Sequence, residues 1–408
     1  MLSRIRKYNP FERGRGRTEL AAMAQVWRDR FPSLAPMHVC ALPHSSRRVT
    51  LITDSINAGS LFGGVATSMI FCALLAKRLD ARLRIVTVTE RPNTSNFVVI
   101  MKFHEIAWND DVEFVFSPLQ EDGDQVDVGP TDIFVTTSWW TTHSAKLSIP
   151  RNRIVHLIQE DERMFYPYGD EHLLCSESMS DENIHFVVNS RLLFDHFKRE
   201  GFHSITRDQI WFEPAFPRKH YFLDEGRKGG KLQFLFYARP NNARNLFYRG
   251  IEAIEAAIQR EILTPAEWDF TFVGKDLKEF SFARGVTPRL LQLDWLAYVA
   301  LARATDLGLS LMYTPHPSYP PLDLAACGSV AVTNRFPGKS SLSLYSPNIL
   351  CAEPSLEAIV NALAEGAALA RDPLKRRENY ECTSVNRDWP EAMETAISKV
   401  AGLFSDVS

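Results

Sequence analysis

The sequence predicts an α/β protein made of two tandem Rossmann-like domains facing a central cleft. Short β-rich runs alternate with helical patterns along most of the chain, the pattern of parallel strands joined by crossover helices. The alternation breaks once, at residues 213–230 (EPAFPRKHYFLDEGRKGG), a stretch of linker composition, and then starts again. With 408 residues, the chain is long enough for roughly two to three ordinary domains.

Each element follows from its local pattern. Residues 1–44 hold a basic arm and a short helical pattern over 19–31. The first domain, 45–212, reads as strand 48–53 (RVTLIT), helix 63–79, strand 83–89, helix 95–104, and strands 112–117 and 132–136. A short helix after Trp140, strands 154–158 and 185–189 and helix 190–200 complete it. After the linker, the second domain, 231–385, reads as strand 232–238, helix 245–260, strand 268–274, helix 294–304 and strand 307–312. A helix beginning near Pro321, strand 330–333 and helix 355–371 follow. The last helix, 390–403 within 386–408, has no strand after it and is expected to pack back on the first domain.

Composition narrows the function classes. Lys and Arg total 46 against 49 for Asp and Glu, a net charge of −3, which excludes a general nucleic-acid binder. Six scattered cysteines lack metal-ligand spacing and read as buried free thiols in a reducing cytosol, with no metal or other cofactor. The arm carries Arg4, Arg6, Lys7, Arg13, Arg15 and Arg17 with no apolar segment behind them, so it is not a secretory signal. It reads either as a solvated tail or as peripheral contact with anionic lipid at the cytoplasmic face of the inner membrane. The longest apolar stretch, residues 65–75, is shorter than the ~20 residues of a membrane span.

Open parallel sheets bind ligands outside the carboxyl ends of their strands, so the loops there carry the chemistry. The loop 54–64 (DSINAGSLFGG) offers Gly59, Gly63 and Gly64 at a helix start, either as a ligand cradle or as a packing turn. It is not a dinucleotide fingerprint. After the second domain's first strand, Arg239 and Arg244 flank a Pro-Asn-Asn turn and are expected to grip a diphosphate together, helped by a helix starting near Asn245. A third loop, 312–328 (MYTPHPSYPPLDLAACG), presents His316, Pro317, Ser318 and Tyr319 before a proline-led helix. Its free amides would face a phosphate, and Asp323 reads as a ribose ligand or as ordinary helix capping.

The Arg239/Arg244 pair, with PLDLAACG over 321–328 and VAVT over 330–333, resembles the GT-B glycosyltransferases of family 4. More closely, HPSYPPLDLA, FYARPNNARNLF and LIQEDERMFYPYGDE resemble the WsaF-type rhamnosyltransferases of bacterial surface polysaccharide synthesis, over roughly residues 45–405. The resemblance implies a metal-independent GT-B enzyme that takes a nucleotide-diphosphate sugar, dTDP-β-L-rhamnose, and a glycan acceptor. The chain departs from family 4 in three places. Pro315 stands where the first acid of E-x7-E belongs, Arg244 replaces a lysine, and the second phosphate-binding lysine falls nearest Gln292, with Lys275 as its substitute.

Residues 159–171 (QEDERMFYPYGDE) follow a strand and mix acids with rings, as a sugar-binding wall does, or form a solvated acidic loop. The resemblance places this stretch near the acceptor. Gln159, Glu160, Tyr166 and Tyr168 are acceptor candidates, and Glu160 or Asp161 would hold or deprotonate the acceptor hydroxyl. Trp139 and Trp140 read as stacking platforms or as core. A GT-B epimerase, a non-catalytic nucleotide-sugar-binding partner and an NAD-dependent oxidoreductase stand as rival functions.

Overall fold

The computed structural model describes residues 23–42, 46–57, 61–119, 124–225 and 229–405; the basic arm and Gly59 lie outside them. The first lobe holds β1 (Val39–Ala41), β2 (Arg48–Thr53), β3 (Arg82–Thr87), β4 (Val112–Phe116), β5 (Val126–Val128), β6 (Ile133–Thr136), β7 (Ile154–Ile158), β8 (His185–Asn189) and β9 (Trp211–Phe212). Seven of them form a parallel sheet in the order β4-β3-β2-β6-β7-β8-β9, while β1 and β5 pair as a separate parallel ribbon. The second lobe holds β10 (Leu232–Tyr237), β11 (Trp268–Val273), β12 (Arg289–Leu291), β13 (Leu307–Leu309), β14 (Val330–Asn334) and β15 (Ile349–Ala352), in the order β12-β11-β10-β13-β14-β15. In each sheet the first strand of the lobe's sheet lies inside it, with later strands on both sides. The loops after β2 and β10 therefore leave at the point where strand order reverses.

Helices on both faces bury these sheets, which is why their strands read as continuous apolar runs: all six residues of β2 and all five of β7 are buried. The helix Ala66–Arg78 buries ten of its thirteen residues. It lies beneath the terminal helix Trp389–Leu403, whose Trp389, Met393, Ile397 and Val400 enter the first lobe's core. Full burial of such side chains is worth about 1.5–3 kcal/mol each, so the last helix belongs energetically to the first lobe.

A buried ionic cluster lies away from the cleft. Arg48 on β2 contacts Asp127 (2.6 Å) and Asp132 (2.8 Å), and Arg84 on β3 contacts Asp127 at 2.8 Å. Asp127 belongs to β5, so the cluster fastens the ribbon to the main sheet.

The structure adds elements the patterns do not predict. β9, β12 and β15 are only two to four residues long. The helix Asp170–Met179, which buries only Cys175, Ser178 and Met179, occupies part of the stretch read as an acidic wall, and the helix Pro373–Glu381 buries no residue, so it has no apolar stripe to reveal it. Of the six cysteines, all free, only Cys72, Cys175 and Cys327 are buried; Cys382 is exposed.

Candidate active site

The two sheets point their strand ends at one cavity of about 380 Å³. Its floor on the second lobe follows sheet order: Met312 and His316 after β13, Arg239 after β10, Gly274 and Lys275 after β11, Leu293 after β12. Strands β10 and β11 crowd there, and a Cβ on Gly274 would sit 1.6 Å from the Ala238 carbonyl oxygen, so only glycine fits. Arg239 is exposed into this cavity, and among the described residues no hydrogen bond or ion pair holds its guanidinium. Lys275 lines the same wall.

The loop carrying His316 is held by a lysine. Lys339 is fully buried, and its Nζ donates to the carbonyls of Met312 (3.0 Å) and His316 (3.1 Å). Burial lowers its pKa to about 8, against the pull of Glu160. The His316 Nδ1 accepts the Ser318 N–H at 3.0 Å, and burial, with Lys339 nearby, lowers its pKa to about 3. The ring is thus neutral with its proton on Nε2, a buried nitrogen with no protein partner. Ser318 adopts a left-handed φ of 70°, a strained turn of the kind found at functional sites.

Three expectations for this loop are corrected. The helix starts at Tyr319, and its first turn is poor in free amides: Ser318 N–H is bonded to His316, and Pro320 and Pro321 have none, leaving that of Tyr319. Asp323 lines the cavity but is buried, and the hydroxyl bonds assigned to a ribose come from Tyr298 (3.2 Å) and Tyr221. Burial pushes its pKa up to about 7, and those hydroxyls only partly offset it. Pro317 is buried and does not line the cavity.

The first lobe supplies Gly63, Gly64, Thr67, Gln159 and Glu160 to the cavity. Gly63 has φ 66°, and a Cβ there would stand 3.8 Å from the Tyr319 ring. Gln159 donates to the Gly64 carbonyl at 2.6 Å. The Tyr319 hydroxyl, expected on the donor, instead pins the lobes together through Thr67 Oγ1 (2.7 Å) and Asn189 Nδ2 (2.8 Å).

Glu160 stands at a junction. With Gly64 and Gln159 it lines both the main cavity and a smaller one of about 220 Å³, whose other walls include Asp54, Ser138, Trp140, Glu162 and Phe165. Burial pushes the Glu160 pKa up to about 7, despite Arg244 and Lys339. Arg244 crosses the cleft to it at 3.2 Å and lies 4.2 Å over the Phe165 ring. This corrects the paired-arginine expectation: Arg239 faces the main cavity, whereas Arg244 neutralises Glu160 and lines neither cavity. The helix behind it starts at Phe247, after a short turn at Ala243–Asn245.

The remaining acceptor candidates divide. Asp161 is fully buried away from both cavities; burial would raise its pKa, but bonds from His196 (2.9 Å) and Arg163 (2.6 Å) hold it below the usual range. Trp139 is core, its indole N–H on the Tyr166 hydroxyl at 3.0 Å, so neither of the two is an acceptor platform. Tyr168 is 93% exposed and lines neither cavity. Trp140 does line the smaller cavity, where its indole N–H donates to both Asp54 oxygens (2.9 and 3.1 Å). Sequence reading missed Asp54, Glu162, Lys339 and His104. Asp54 had a visible signal in its place directly after β2, and Glu162 in the acid-and-ring stretch 159–171; the other two had none. Among the described residues no group of three or more His, Cys, Asp or Glu side chains is arranged to hold a metal ion, and no helix is long and apolar enough to cross a membrane.

Two Rossmann-like lobes closing on a shared cleft give the chain the GT-B fold. Solved structures of this fold include sucrose-phosphate synthase from Thermosynechococcus elongatus (12% identity, TM-score 0.55, covering 88% of this chain and 98% of that one). Anabaena HepE in complex with UDP and glucose is similar (12% identity, TM-score 0.56, 88% and 99% covered), as is the α,α-trehalose-6-phosphate synthase of Burkholderia multivorans (11% identity, TM-score 0.53, 88% and 100% covered). The chain belongs to the WsaF family: residues 48–191 match its N-terminal domain and 232–364 its C-terminal domain. It is 28% identical over 363 residues to the O-antigen biosynthesis protein RfbC of Myxococcus xanthus, a match covering 86% of this chain and 27% of that relative, so the chain spans about a quarter of its length.

Proposed function

We propose that the protein transfers a sugar from a nucleotide-diphosphate donor to a hydroxyl of a growing surface polysaccharide, with dTDP-β-L-rhamnose as donor and rhamnose as the sugar moved. The observation that carries the reading is Glu160, one buried carboxylate shared by two adjoining cavities and poised near neutral pH. The donor occupies the larger cavity and the acceptor sugar the smaller. There Asp54, Glu162 and Ser138 meet hydroxyls, and Trp140 and Phe165 cover the apolar sugar face. Glu160 takes the acceptor proton as the new glycosidic bond forms and the bond from the anomeric carbon to the diphosphate breaks. Arg239, Lys275, the His316 Nε2–H and the Tyr319 amide meet the charge growing on the leaving diphosphate, the largest catalytic term in most such sites. Glu160 also stands beside Thr314, next to Pro315, so the first lobe brings a carboxylate to the place where family 4 carries its first acid. The reaction is placed in the cytoplasm, with residues 1–17 offering a basic contact for anionic lipid, and it runs without a metal ion.

The test is transfer by the purified protein from nucleotide sugars to an acceptor glycan, with and without EDTA. Transfer that survives EDTA supports the reading. A strict Mg²⁺ requirement contradicts the metal-independent part, and donor binding without transfer or hydrolysis identifies a binding protein instead.

A further inference from the structure

The smaller cavity spans the ends of three neighbouring strands of the first sheet. Asp54 leaves β2, Thr137 and Ser138 follow β6, and Glu160 follows β7. The strands carrying the two carboxylates are thus two strand spacings apart, about 9–10 Å. Every charged side chain lining this cavity is acidic: Asp54, Glu160 and Glu162. The cations nearby gather at one end, where Arg244 pairs with Glu160 at 3.2 Å and Lys339 lies beside it. Glu162 is held within the lobe, one oxygen accepting the Trp139 N–H at 2.7 Å and the other 3.2 Å from His156 Nε2. Asp54 differs from both. Its two oxygens share the single indole N–H of Trp140, and among the described residues no cation pairs with it. Burial raises its pKa, the charge of Glu162 adds to the rise, and the indole N–H opposes it. An ionised carboxylate has about four accepting positions, so most of its capacity is open to a ligand. At the other end Glu160, only 9% exposed, keeps Oε1 buried without a hydrogen-bond partner.

We infer that this cavity admits an uncharged sugar residue and rejects acidic ones, such as uronic acids and phosphorylated sugars, and that Asp54 is the residue that sets the choice. This rests on the acceptor reading proposed above. With the reacting hydroxyl at Glu160, the strand spacing brings the far side of one pyranose ring to Asp54. Hydroxyls on that side donate to its open lone pairs. A carboxylate or phosphate in the same place has no proton to donate and meets a fixed negative charge, with Glu162 behind it. The apolar rings of Trp140 and Phe165 lower the local dielectric and strengthen that repulsion. Arg244 does not relieve it, because it is tied to Glu160 at the opposite end.

Matched methyl glycosides test this: glucoside against glucuronide, and galactoside against galacturonide. Each is titrated calorimetrically into wild-type, Asp54→Asn and Asp54→Ser protein, and offered as acceptor with dTDP-β-L-rhamnose as donor. Wild type is expected to favour the neutral member of a pair by at least about tenfold, in affinity and in kcat/KM. Asparagine keeps the volume and an oxygen for the Trp140 N–H, and is expected to narrow that gap to about threefold or less; serine does the same with a smaller side chain. Carboxyl ¹³C NMR of the wild type gives a readout that needs no variant: the Asp54 resonance should shift with a bound neutral glycoside and stay still with dTDP alone. Equal use of neutral and acidic partners by wild type, an undiminished gap in a folded Asp54 variant, or a glycoside that binds without moving the resonance overturns the charge selection and leaves sugar transfer standing. If no glycoside binds or accepts sugar, the acceptor assignment of the smaller cavity falls, and the selection with it.

Discussion

Replacing Glu160 by glutamine keeps the volume and removes the one carboxylate that both cavities share. A positioned general base contributes about 10²–10⁴ in rate, or about 3–5 kcal/mol of barrier, and that loss is expected in the transfer step. The pH profile sharpens the test. Glu160 must be ionised to accept the proton, and its pKa lies at about 7, so wild-type kcat/KM should rise with pH and level off above neutrality. The variant should lose that acid limb along with the activity. Stability should move the other way. Because its folded pKa is raised above the ordinary 4.5, Glu160 favours the folded state most at low pH, and that contribution is lost as pH climbs to about 7. Glutamine, neutral throughout, should leave the protein no less stable at pH 8, with Arg244 losing its partner as the opposing effect. Transfer measured by product chromatography from pH 5.5 to 9, beside thermal melts, gives both readouts. A variant within about threefold of wild-type turnover, or one that keeps the acid limb, would refute the assignment of Glu160.

Arg239→Ala should melt like wild type, because its guanidinium has no protein partner among the described residues, yet lose at least about 100-fold in turnover, near 3 kcal/mol; unchanged turnover contradicts its place on the diphosphate. Lys339→Met removes a cation beside Glu160 and should move the acid limb of kcat/KM to higher pH, whereas a purely structural lysine would lower the rate and leave the limb in place. Asp323→Asn should flatten the dependence of Tm on pH. The wild-type carboxyl, raised from 3.8 to about 7, supports folding below pH ~4 and loses up to about 4 kcal/mol of that support by neutrality, so parallel Tm curves would sink the point. Asp132→Asn should destabilise by about 3–5 kcal/mol in urea melts by stripping a buried partner from Arg48, with no selective effect on transfer once folded.

What could be read from the sequence followed the range of the interaction. Strands buried on both faces, such as β2, β7 and β8, announce themselves as apolar runs, and their order with the intervening helices gives the two-lobed architecture. The two residues of β9 and the uncovered helix Pro373–Glu381 carry no such signal. Within the site, the loops were legible because strand ends locate them. Partner choice was not. Asp161 looks like its neighbour Glu160, yet it is claimed by His196, 35 residues on, while Glu160 meets Arg244, 84 residues on. Asp323 is taken by Tyr221 and Tyr298, rings in other segments. Arg163, the cation on Asp161, is only two residues away, but no local pattern encodes that Glu160 reaches across the cleft.

The return of Trp389–Leu403 onto Ala66–Arg78 also sets a schedule for synthesis. A ribosome that has finished β9 has released every strand of the first lobe but not the helix that roofs it. At about 5–20 residues per second, the nascent lobe waits on the order of ten to forty seconds with an oily strip uncovered. Through that interval the strip is open to chaperones and to neighbouring nascent chains, so the first half of this protein is translated early and completed last.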